Sequence, residues 1–233
     1  MNVKADIGAG QAETLRKAFV FGQLGQSLDG RIATVNGASK YINGSAALDH
    51  LHALRADVDA VIVGVGTVLA DDPMLTVRRC SGPTPRAVVI DTNRRTPADA
   101  KLFEVANEPP LFIRREGDAA SPNEIGVKML TCACPGAPAL LDPVDIVAKL
   151  CERGYHRILI EGGASTLSHF INHRAIDQLH ILQAPMILGS GVTGLNLAPI
   201  YTLDDALRPT VKVSQFDDGD VLFECSLESG WSR

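Results

Sequence analysis

The chain has 233 residues, a length that suits a single α/β domain built on a large sheet. Its formal net charge of −5 argues against broad nucleic-acid binding, because such binding needs a basic face to neutralise phosphates. No stretch approaches the ~20 apolar residues of a membrane-spanning helix, and the 5 scattered cysteines are typical of reduced thiols, so we expect a cytoplasmic protein with no membrane partner.

The predicted elements begin after a polar stretch. We assign residues 1–16 to a flexible N-terminal extension and residues 17–233 to one domain. The apolar run AFVFGQL predicts a first buried strand, and SLDGRIAT predicts a turn followed by a short strand. The segment 43–57 has apolar residues at helical spacing and a capping residue, Asn43 or Ser45, near its start. It therefore predicts the first helix.

A series of apolar, β-branched runs follows, and such runs are typical of strands buried on both faces. They lie at residues 59–66, 86–92, 110–114, 127–131 and 156–163. The segment 141–154, with Pro143 in its first turn, predicts a helix before the last of these strands. Strands that alternate with helices indicate an α/β fold, with a mainly parallel sheet flanked by helices on both faces.

The last third of the chain changes character. Residues 176–188 predict a long strand, and residues 211–227 predict an antiparallel hairpin at the C-terminal end of the sheet. Between them, residues 189–194 read GSGVTG, a literal G-x-G-x-x-G. A dinucleotide fingerprint requires a helix to follow, but Pro199 comes soon after, so we favour a glycine-rich connection.

One strand end is a candidate ligand site. The strand at 156–163 ends in Glu161-Gly162-Gly163, and Ala164-Ser165-Thr166 then begins a predicted helix. Glycines allow close approach of the backbone to a ligand, and the helix N-terminus offers free N–H groups to a pyrophosphate. A glycine turn capped by a serine or threonine is the alternative, and the spacing does not decide between the two.

Two further strand ends have the same form. Residues 64–73 predict a second transition from strand to loop, and Thr92, Asn93, Arg94 and Arg95 follow the strand at 86–92. An arginine after a threonine suits a ribose 2′-phosphate, since guanidinium groups bind phosphate bidentately; a solvated basic turn is the alternative. We expect no metal site, because Cys132-x-Cys134 lacks the C-x-x-C spacing and a second pair.

Six motifs occur together in order: GQSLDGRIAT, GASKYI, LRADVDAVIVGVGTVLADDPMLTVR, PRAVVIDTNRRTP, ILIEGGAST and IDQLHILQAPMILG. From about Phe19 to about Leu227 the chain resembles the reductase domain of riboflavin biosynthesis, the pyrimidine reductase half of the bifunctional deaminase/reductase. The resemblance implies a dihydrofolate-reductase-like fold, NADPH as hydride donor and a homodimer.

The resemblance also implies a reaction. The substrate would be 5-amino-6-(5-phosphoribosylamino)uracil, a small phosphorylated aminopyrimidine whose ribosyl group is reduced to the ribityl form. Two alternatives stay open: the non-deaminated diaminopyrimidinone or another pterin or pyrimidine as substrate, and a nucleotide-binding partner subunit without turnover. The chain lacks the H-x-E and P-C-x-x-C of the zinc deaminase, so we expect any deaminase to be a separate protein.

The site residues are carried over by matching motifs. The substrate-binding set is Ser39, Arg55, Leu75, Arg78 and Glu161. The cofactor-binding set, which includes Arg94 from the strand-end argument, is Gly25, Tyr41, Thr67, Asp71, Thr92, Arg94, Gly162, Gly163, Ala164, Ser165 and Thr166. We expect Arg55 and Arg78 to hold a phosphate and Glu161 to accept from the N–H edge of the pyrimidine.

The proton donor is not assigned by this pattern. Asp29, in the turn SLDG, and Glu161 are candidates, and turn capping is the alternative role for Asp29. Asp71 and Asp72 resemble a paired-carboxylate acid/base site at first sight. We instead expect Asp71 to face the cofactor and Asp72, before Pro73, to fix the turn.

Overall fold

The computed structural model describes residues 18–40, 42–104, 108–115, 117, 128–132 and 141–227. The predicted N-terminal extension and the predicted cofactor residue Tyr41 lie outside these ranges. The strands are β1 (Phe19–Ser27), β2 (Arg31–Ala33), β3 (Ala60–Gly64), β4 (Arg86–Ile90), β5 (Leu111–Arg115), β6 (Lys128–Cys132), β7 (Arg157–Glu161), β8 (Gln178–Ala184), β9 (Val192–Thr193), β10 (Thr210–Gln215) and β11 (Val221–Ser226). The helices are α1 (Ser45–Ala56), α2 (Val65–Asp71), α3 (Pro143–Cys151) and α4 (Ala164–Asn172).

Nine of the strands form one sheet in the order β10-β11-β8-β1-β7-β3-β4-β5-β6. Strands β8 to β6 in this order pair in parallel, whereas β10 and β11 form an antiparallel hairpin against β8. Strands β2 and β9 form a separate antiparallel pair. The predicted α/β fold, with a mainly parallel sheet and a C-terminal hairpin, is confirmed.

The residues of β3 show why this sheet needs helices on both faces. Ile62 belongs to a core cluster that includes Ile146 of α3 and Phe170 of α4. The neighbouring Val61 and Val63 belong to the opposite cluster, with residues of α1 and α2. All three β3 side chains are fully buried, so alternate residues along the strand face two apolar layers. The continuous apolar run is thus explained.

Three local predictions need correction. Residues 65–71 form helix α2 rather than a loop, and the helix ends at Asp72, whose φ is 42°. Strand β8 is shorter than the predicted 176–188, because Met186 N bonds back to Ala184 O in a turn. The N-cap of α1 is Gly44, without a side-chain cap bond; the Asn43 amide instead donates to Leu182 O at 3.1 Å.

The first half of α1 is attached to the sheet by a mixed apolar and histidine contact. Ala47 packs with Leu182 and Leu222. His50 Nε2 lies 3.0 Å from His180 Nδ1, and His180 is buried. This contact holds the first half of α1 on β8 and β11. The second half of α1 then packs on the sheet through Leu54, which belongs to one of the core clusters. None of the helices in the described ranges is long and apolar enough to cross a membrane.

Candidate active site

A cavity of about 760 Å³ lies at the carboxyl ends of β3, β4 and β7. Parallel strands end at one edge of the sheet, which is where ligands bind in open α/β folds. The cavity brings together eight of the predicted site residues: Ser39, Thr67, Asp71, Thr92, Gly163, Ala164, Ser165 and Thr166. Seven of these come from the cofactor set, so the cavity is a candidate cofactor site.

Glycines and threonines interlock at the inner wall of this cavity. A Cβ on Gly64 would lie 2.5 Å from Thr166 Oγ1, and a Cβ on Gly163 would lie 3.1 Å from Thr67 Oγ1. Gly162 and Gly163 have φ of 78° and 71°, a conformation that favours glycine. The absence of these side chains allows α2 and α4 to begin beside each other.

Helix α4 presents its N-terminus at the cavity wall. Its N-cap is Gly163, and no side chain in the described part of the chain caps the helix. The first turn therefore has backbone N–H groups without an intrahelical partner, and they lie where Ala164, Ser165 and Thr166 line the cavity. The Ser/Thr cap considered from the sequence is not formed, which favours the anion-binding interpretation.

The adjacent aspartates after α2 have separate roles. Ser39 Oγ donates to Asp71 Oδ1 at 3.2 Å, and both residues line the cavity. Asp72 Oδ1 accepts from Lys101 N at 2.9 Å, and its Oδ2 lies 2.8 Å from Lys101 Nζ. The hydrogen bonds and charge of Lys101 lower the pKa of Asp72. Asp72 thus fixes the turn, as expected, while Asp71 faces the cavity.

The loop after β4 is shaped by the buried carboxylate of Asp91. It accepts from Arg95 N at 3.0 Å and from Thr96 N at 2.8 Å. Burial disfavours ionisation of Asp91, but these hydrogen bonds, the Thr96 hydroxyl and the nearby Arg114 charge together lower its pKa. The folded loop directs Thr92 and Arg95 to the cavity, whereas Arg94, at φ 53°, does not line it.

A second arginine reaches the same end of the cavity from β5. Arg115 lines the cavity, and its buried Nε has no hydrogen-bond partner among the described residues. The pairing of Ile90 with Ile113 places Arg115, two residues further along, on the same face as Thr92. Arg115 was not predicted from the sequence. The position of Arg115 two residues after a core isoleucine could have indicated this orientation.

On the other side of the strand ends, Arg55 and Glu161 form a buried ion pair. Arg55 Nε donates to Glu161 Oε2 at 2.8 Å, and Arg55 Nη2 also donates to Glu161 Oε1. Their side chains are 7% and 12% exposed. Arg55 Nη1 donates to Thr76 O at 3.1 Å, so the guanidinium is engaged by the protein. This geometry favours Arg55 as a support for Glu161 rather than a phosphate ligand.

Arg78 occupies a more accessible position. It is exposed, and its Nη1 donates to Thr76 Oγ1 at 2.7 Å. Burial of part of the guanidinium and the nearby Arg55 charge lower its pKa from the usual value. Both arginines donate to Thr76, Arg55 to its carbonyl and Arg78 to its hydroxyl. Of the two predicted phosphate-binding arginines, Arg78 is the one placed to reach a ligand.

Two other predicted residues have structural roles. Leu75 is 1% exposed and belongs to a core cluster, so a ligand could meet its backbone but not its side chain. A Cβ on Gly25 would lie 2.1 Å from Asn43 Oδ1, so this glycine makes room for Asn43 beside β1. Neither Leu75 nor Gly25 lines the cavity.

Asp29 is placed as a loop anchor. Its carboxylate accepts from Ser27 Oγ at 2.6 Å, Leu188 N at 3.0 Å and Gly189 N at 2.8 Å. The Ser27 hydroxyl and then these amides lower the pKa of Asp29 to about 2, which is unsuited to proton donation near neutral pH. The glycine-rich connection held by Asp29 leads into β9 and not into a helix, so the dinucleotide fingerprint is absent there.

The buried ion pair predicts an asymmetric response to mutation. Arg55→Met should lower the free energy of unfolding by about 3–5 kcal/mol, because it leaves Glu161 buried without its partner. The double variant Arg55→Met/Glu161→Leu should recover most of this loss. Urea denaturation followed by circular dichroism measures both values.

The matched control is Arg79→Met, since Arg79 pairs with Asp49 at the surface. Its cost should stay within about 1 kcal/mol. Equal destabilisation by Arg55→Met and Arg79→Met would contradict a special role for the buried pair.

Comparison with known proteins adds independent findings. RibD of Actinobacillus pleuropneumoniae, a riboflavin biosynthesis protein, is 30% identical over 215 residues, which cover 90% of this chain and 57% of that protein. The 2,5-diamino-6-ribosylamino-4(3H)-pyrimidinone 5′-phosphate reductase of Methanothermobacter thermautotrophicus is 30% identical over 218 residues, covering 91% and 99%. The chain thus spans a little over half of that RibD and nearly all of that reductase.

Solved structures agree with the fold. RibD of Acinetobacter baumannii has a TM-score of 0.77 and 28% identity, covering 93% of this chain and 60% of that one. Dihydrofolate reductase of Enterococcus faecalis, at TM-score 0.51, 11% identity and coverage of 89% and 96%, shares the fold alone, which confirms the dihydrofolate-reductase-like prediction. The family model described as the RibD C-terminal domain matches residues 18–219. The chain belongs to the RibD C-terminal domain family.

Proposed function

We propose that this chain is an NADPH-dependent reductase that converts 5-amino-6-(5-phosphoribosylamino)uracil to its ribitylamino form in riboflavin biosynthesis. The observation that carries the proposal is the cavity at the strand ends, which gathers seven residues of the cofactor set next to the cluster of Arg55, Arg78 and Glu161. The names of the RibD and reductase relatives support the same reaction class. A cytoplasmic location belongs to the same proposal.

The chain's residues fit a dinucleotide phosphate. Gly163 lines the cavity without a side chain, and the N–H groups of the first turn of α4 suit a pyrophosphate. Arg95 and Arg115, whose buried Nε has no partner among the described residues, would supply cations for a ribose 2′-phosphate. Bound NADPH would supply the hydride for the reduction.

The protein's part in the reaction is to bind, orient and exclude water. Glu161, held by Arg55, keeps its oxygens in a fixed place to accept from the N–H edge of a pyrimidine. Both oxygens of Glu161 accept from Arg55, so the carboxylate is oriented to serve as an acceptor. Arg78 would bind the substrate phosphate, and Ser39, joined to Asp71, would contact both ligands.

A second substrate is favoured by one specific observation. The Methanothermobacter relative, named for its action on the diaminopyrimidinone, aligns over nearly its whole length with this chain. The two candidate substrates share the ribosyl phosphate and differ in one ring substituent, which is an amino group in the diaminopyrimidinone. Residues that recognise the sugar and the phosphate would serve either one.

The reaction can be tested by absorbance at the reduced nicotinamide band. Purified protein mixed with NADPH and freshly made aminopyrimidine phosphate should oxidise NADPH, because the proposed cofactor and substrate residues would hold the two ligands together. Parallel assays with the uracil and diaminopyrimidinone forms decide between the two substrates. Binding of NADPH without turnover of either form would favour a partner subunit, and no NADPH binding would contradict every part of the proposal.

The arginine pair predicts selectivity for NADPH over NADH. Arg95→Ala and Arg115→Ala should each weaken NADPH binding about tenfold or more, because a hydrogen bond to a charged group contributes about 1.5–3 kcal/mol. NADH binding should change by less than about twofold, since NADH lacks the 2′-phosphate. Titration of nicotinamide fluorescence measures both affinities.

Arg94→Ala is the matched control, because Arg94 is adjacent in sequence but does not line the cavity. It should leave both affinities unchanged. A larger loss in Arg94→Ala than in Arg95→Ala would restore Arg94 as the phosphate ligand. Equal losses of NADPH and NADH in the Arg95 and Arg115 variants would contradict a 2′-phosphate contact.

A homodimer is the remaining part of the proposal. Large apolar side chains of residues 187–203 are exposed, including Ile187 at 73%, Tyr201 at 92% and Leu203 at 79%. Such exposure favours burial against a partner. Light scattering should give a mass near twice 24.8 kDa, and Tyr201→Glu with Leu203→Glu should shift it toward the monomer. A monomeric wild-type protein at micromolar concentration would contradict the dimer.

A further inference from the structure

One side of α1 carries a polar stripe formed by Ser45, Asp49, His52 and Arg55. Residues spaced by three or four positions share one side of a helix, so these side chains form a continuous row. Each of them contacts the segment 76–79, which carries Arg78. The stripe therefore holds that segment along its length.

The stripe holds the segment at successive points. At its exposed end, Arg79 Nε donates to Asp49 Oδ1 at 2.6 Å, and Arg79 Nη2 donates to Ser45 Oγ at 2.5 Å. At its buried end, Arg55 Nη1 donates to Thr76 O at 3.1 Å. The contact between these two ends is the least expected of the three, because the side chain that accepts from the backbone there is a histidine.

His52 makes this middle contact. Arg78 N donates to His52 Nδ1 at 3.0 Å, and His52 is 4% exposed. Because the backbone amide can only donate, Nδ1 must be the acceptor and the ring proton of neutral His52 lies on Nε2. Burial, together with the charges of Arg55 and Arg78, lowers the pKa of His52 to about 4. The ring therefore stays neutral at physiological pH.

We propose that His52 is a positioning residue for the substrate phosphate, since it fixes the backbone from which the Arg78 guanidinium reaches the ligand. The inference rests on the proposed function, in which Arg78 binds that phosphate. Arg78 is exposed, and a long side chain on an unfixed backbone would lose more conformational freedom on binding. His52 holds the backbone of Arg78, and Thr76 Oγ1 holds its guanidinium.

Leu75, the residue before the segment 76–79, shows why the backbone of this segment has to be held. Leu75 adopts φ 55° while its side chain is buried in the core. A left-handed conformation in a branched apolar residue is strained and persists only where neighbouring contacts impose it. The bond from Arg55 is made at Thr76, directly after Leu75, and the bond to His52 is made two residues later at Arg78, so the two contacts set the direction in which the chain leaves the core.

The test separates binding of the substrate from binding of the cofactor. His52→Ala should raise the KM for the aminopyrimidine phosphate about three- to tenfold, the effect of one lost neutral hydrogen bond. The KM for NADPH should stay within about twofold. His52→Asn should restore most of the loss, because the Asn Oδ1 can replace Nδ1 as acceptor. An unchanged substrate KM in His52→Ala would overturn the inference.

His50→Ala is the matched control, because His50 lies on the same helix but contacts His180 on the sheet. It should leave the substrate KM unchanged. A rise in KM equal to that of His52→Ala would assign the effect to general loosening of α1 and overturn the inference. Circular dichroism at the assay temperature verifies that each variant is folded.

A double-mutant cycle tests whether His52 acts through Arg78. If it does, His52→Ala/Arg78→Ala should have the same substrate KM as Arg78→Ala, whereas independent effects would multiply and contradict the inference. Calorimetric titration of the same variants with ribose 5-phosphate checks the phosphate contact directly. Their affinities should rank in the same order as in the measurements of the substrate KM. A wild-type protein that neither binds ribose 5-phosphate nor oxidises NADPH would refute the proposed function; turnover with normal kinetics in His52→Ala would refute only the positioning role.

Discussion

The ion pair between Arg55 and Glu161 is the contact on which the arrangement of this site depends. It joins α1, which packs on one face of the sheet, to the end of β7 within the sheet. Both side chains are nearly buried, so each charge offsets the desolvation of the other. Because Glu161 directly precedes Gly162–Gly163, a displacement of α1 would reach the glycine turn at the cavity wall. The proposed substrate side and the proposed cofactor side are therefore mechanically connected.

The two sides of the site use different physical devices. The proposed cofactor side depends on missing side chains, since Gly64 and Gly163 allow Thr166 and Thr67 to approach the opposing backbone. The proposed substrate side depends on long polar side chains, each held in place by a second polar group. Backbone N–H groups recognise a phosphate of any ligand that fits, whereas a fixed carboxylate such as Glu161 can read the edge of one ring. This division matches a shared cofactor and a particular substrate.

The fold could be predicted from the sequence because its strands are buried on both faces and therefore appear as continuous apolar runs. The cavity residues Thr67, Asp71 and Thr92 were also predicted. Thr92 follows a strand, and parallel strands end at one edge, whereas Thr67 and Asp71 were assigned by the resemblance of their motif. Helix α2 was missed, because seven residues with an internal glycine give too little periodicity. Arg55 was predicted to hold a phosphate, and Arg115 was not predicted, for another reason. Their roles depend on partners far away in sequence, which no local pattern contains.

The proposal that an acidic chain holds two phosphorylated ligands is consistent with the local placement of its cations. Arg78 is held by Thr76 outside the cavity lining, and Arg95 and Arg115 line the cavity together with Thr92. At physiological ionic strength exposed charges are screened beyond about 8 Å, so distant carboxylates contribute little to either site. The nearby carboxylates of Asp91 and Glu161 are engaged by hydrogen bonds from their own neighbours. The net charge of −5 thus governs the long-range encounter with the proposed anionic ligands, whereas the arginines would govern their binding.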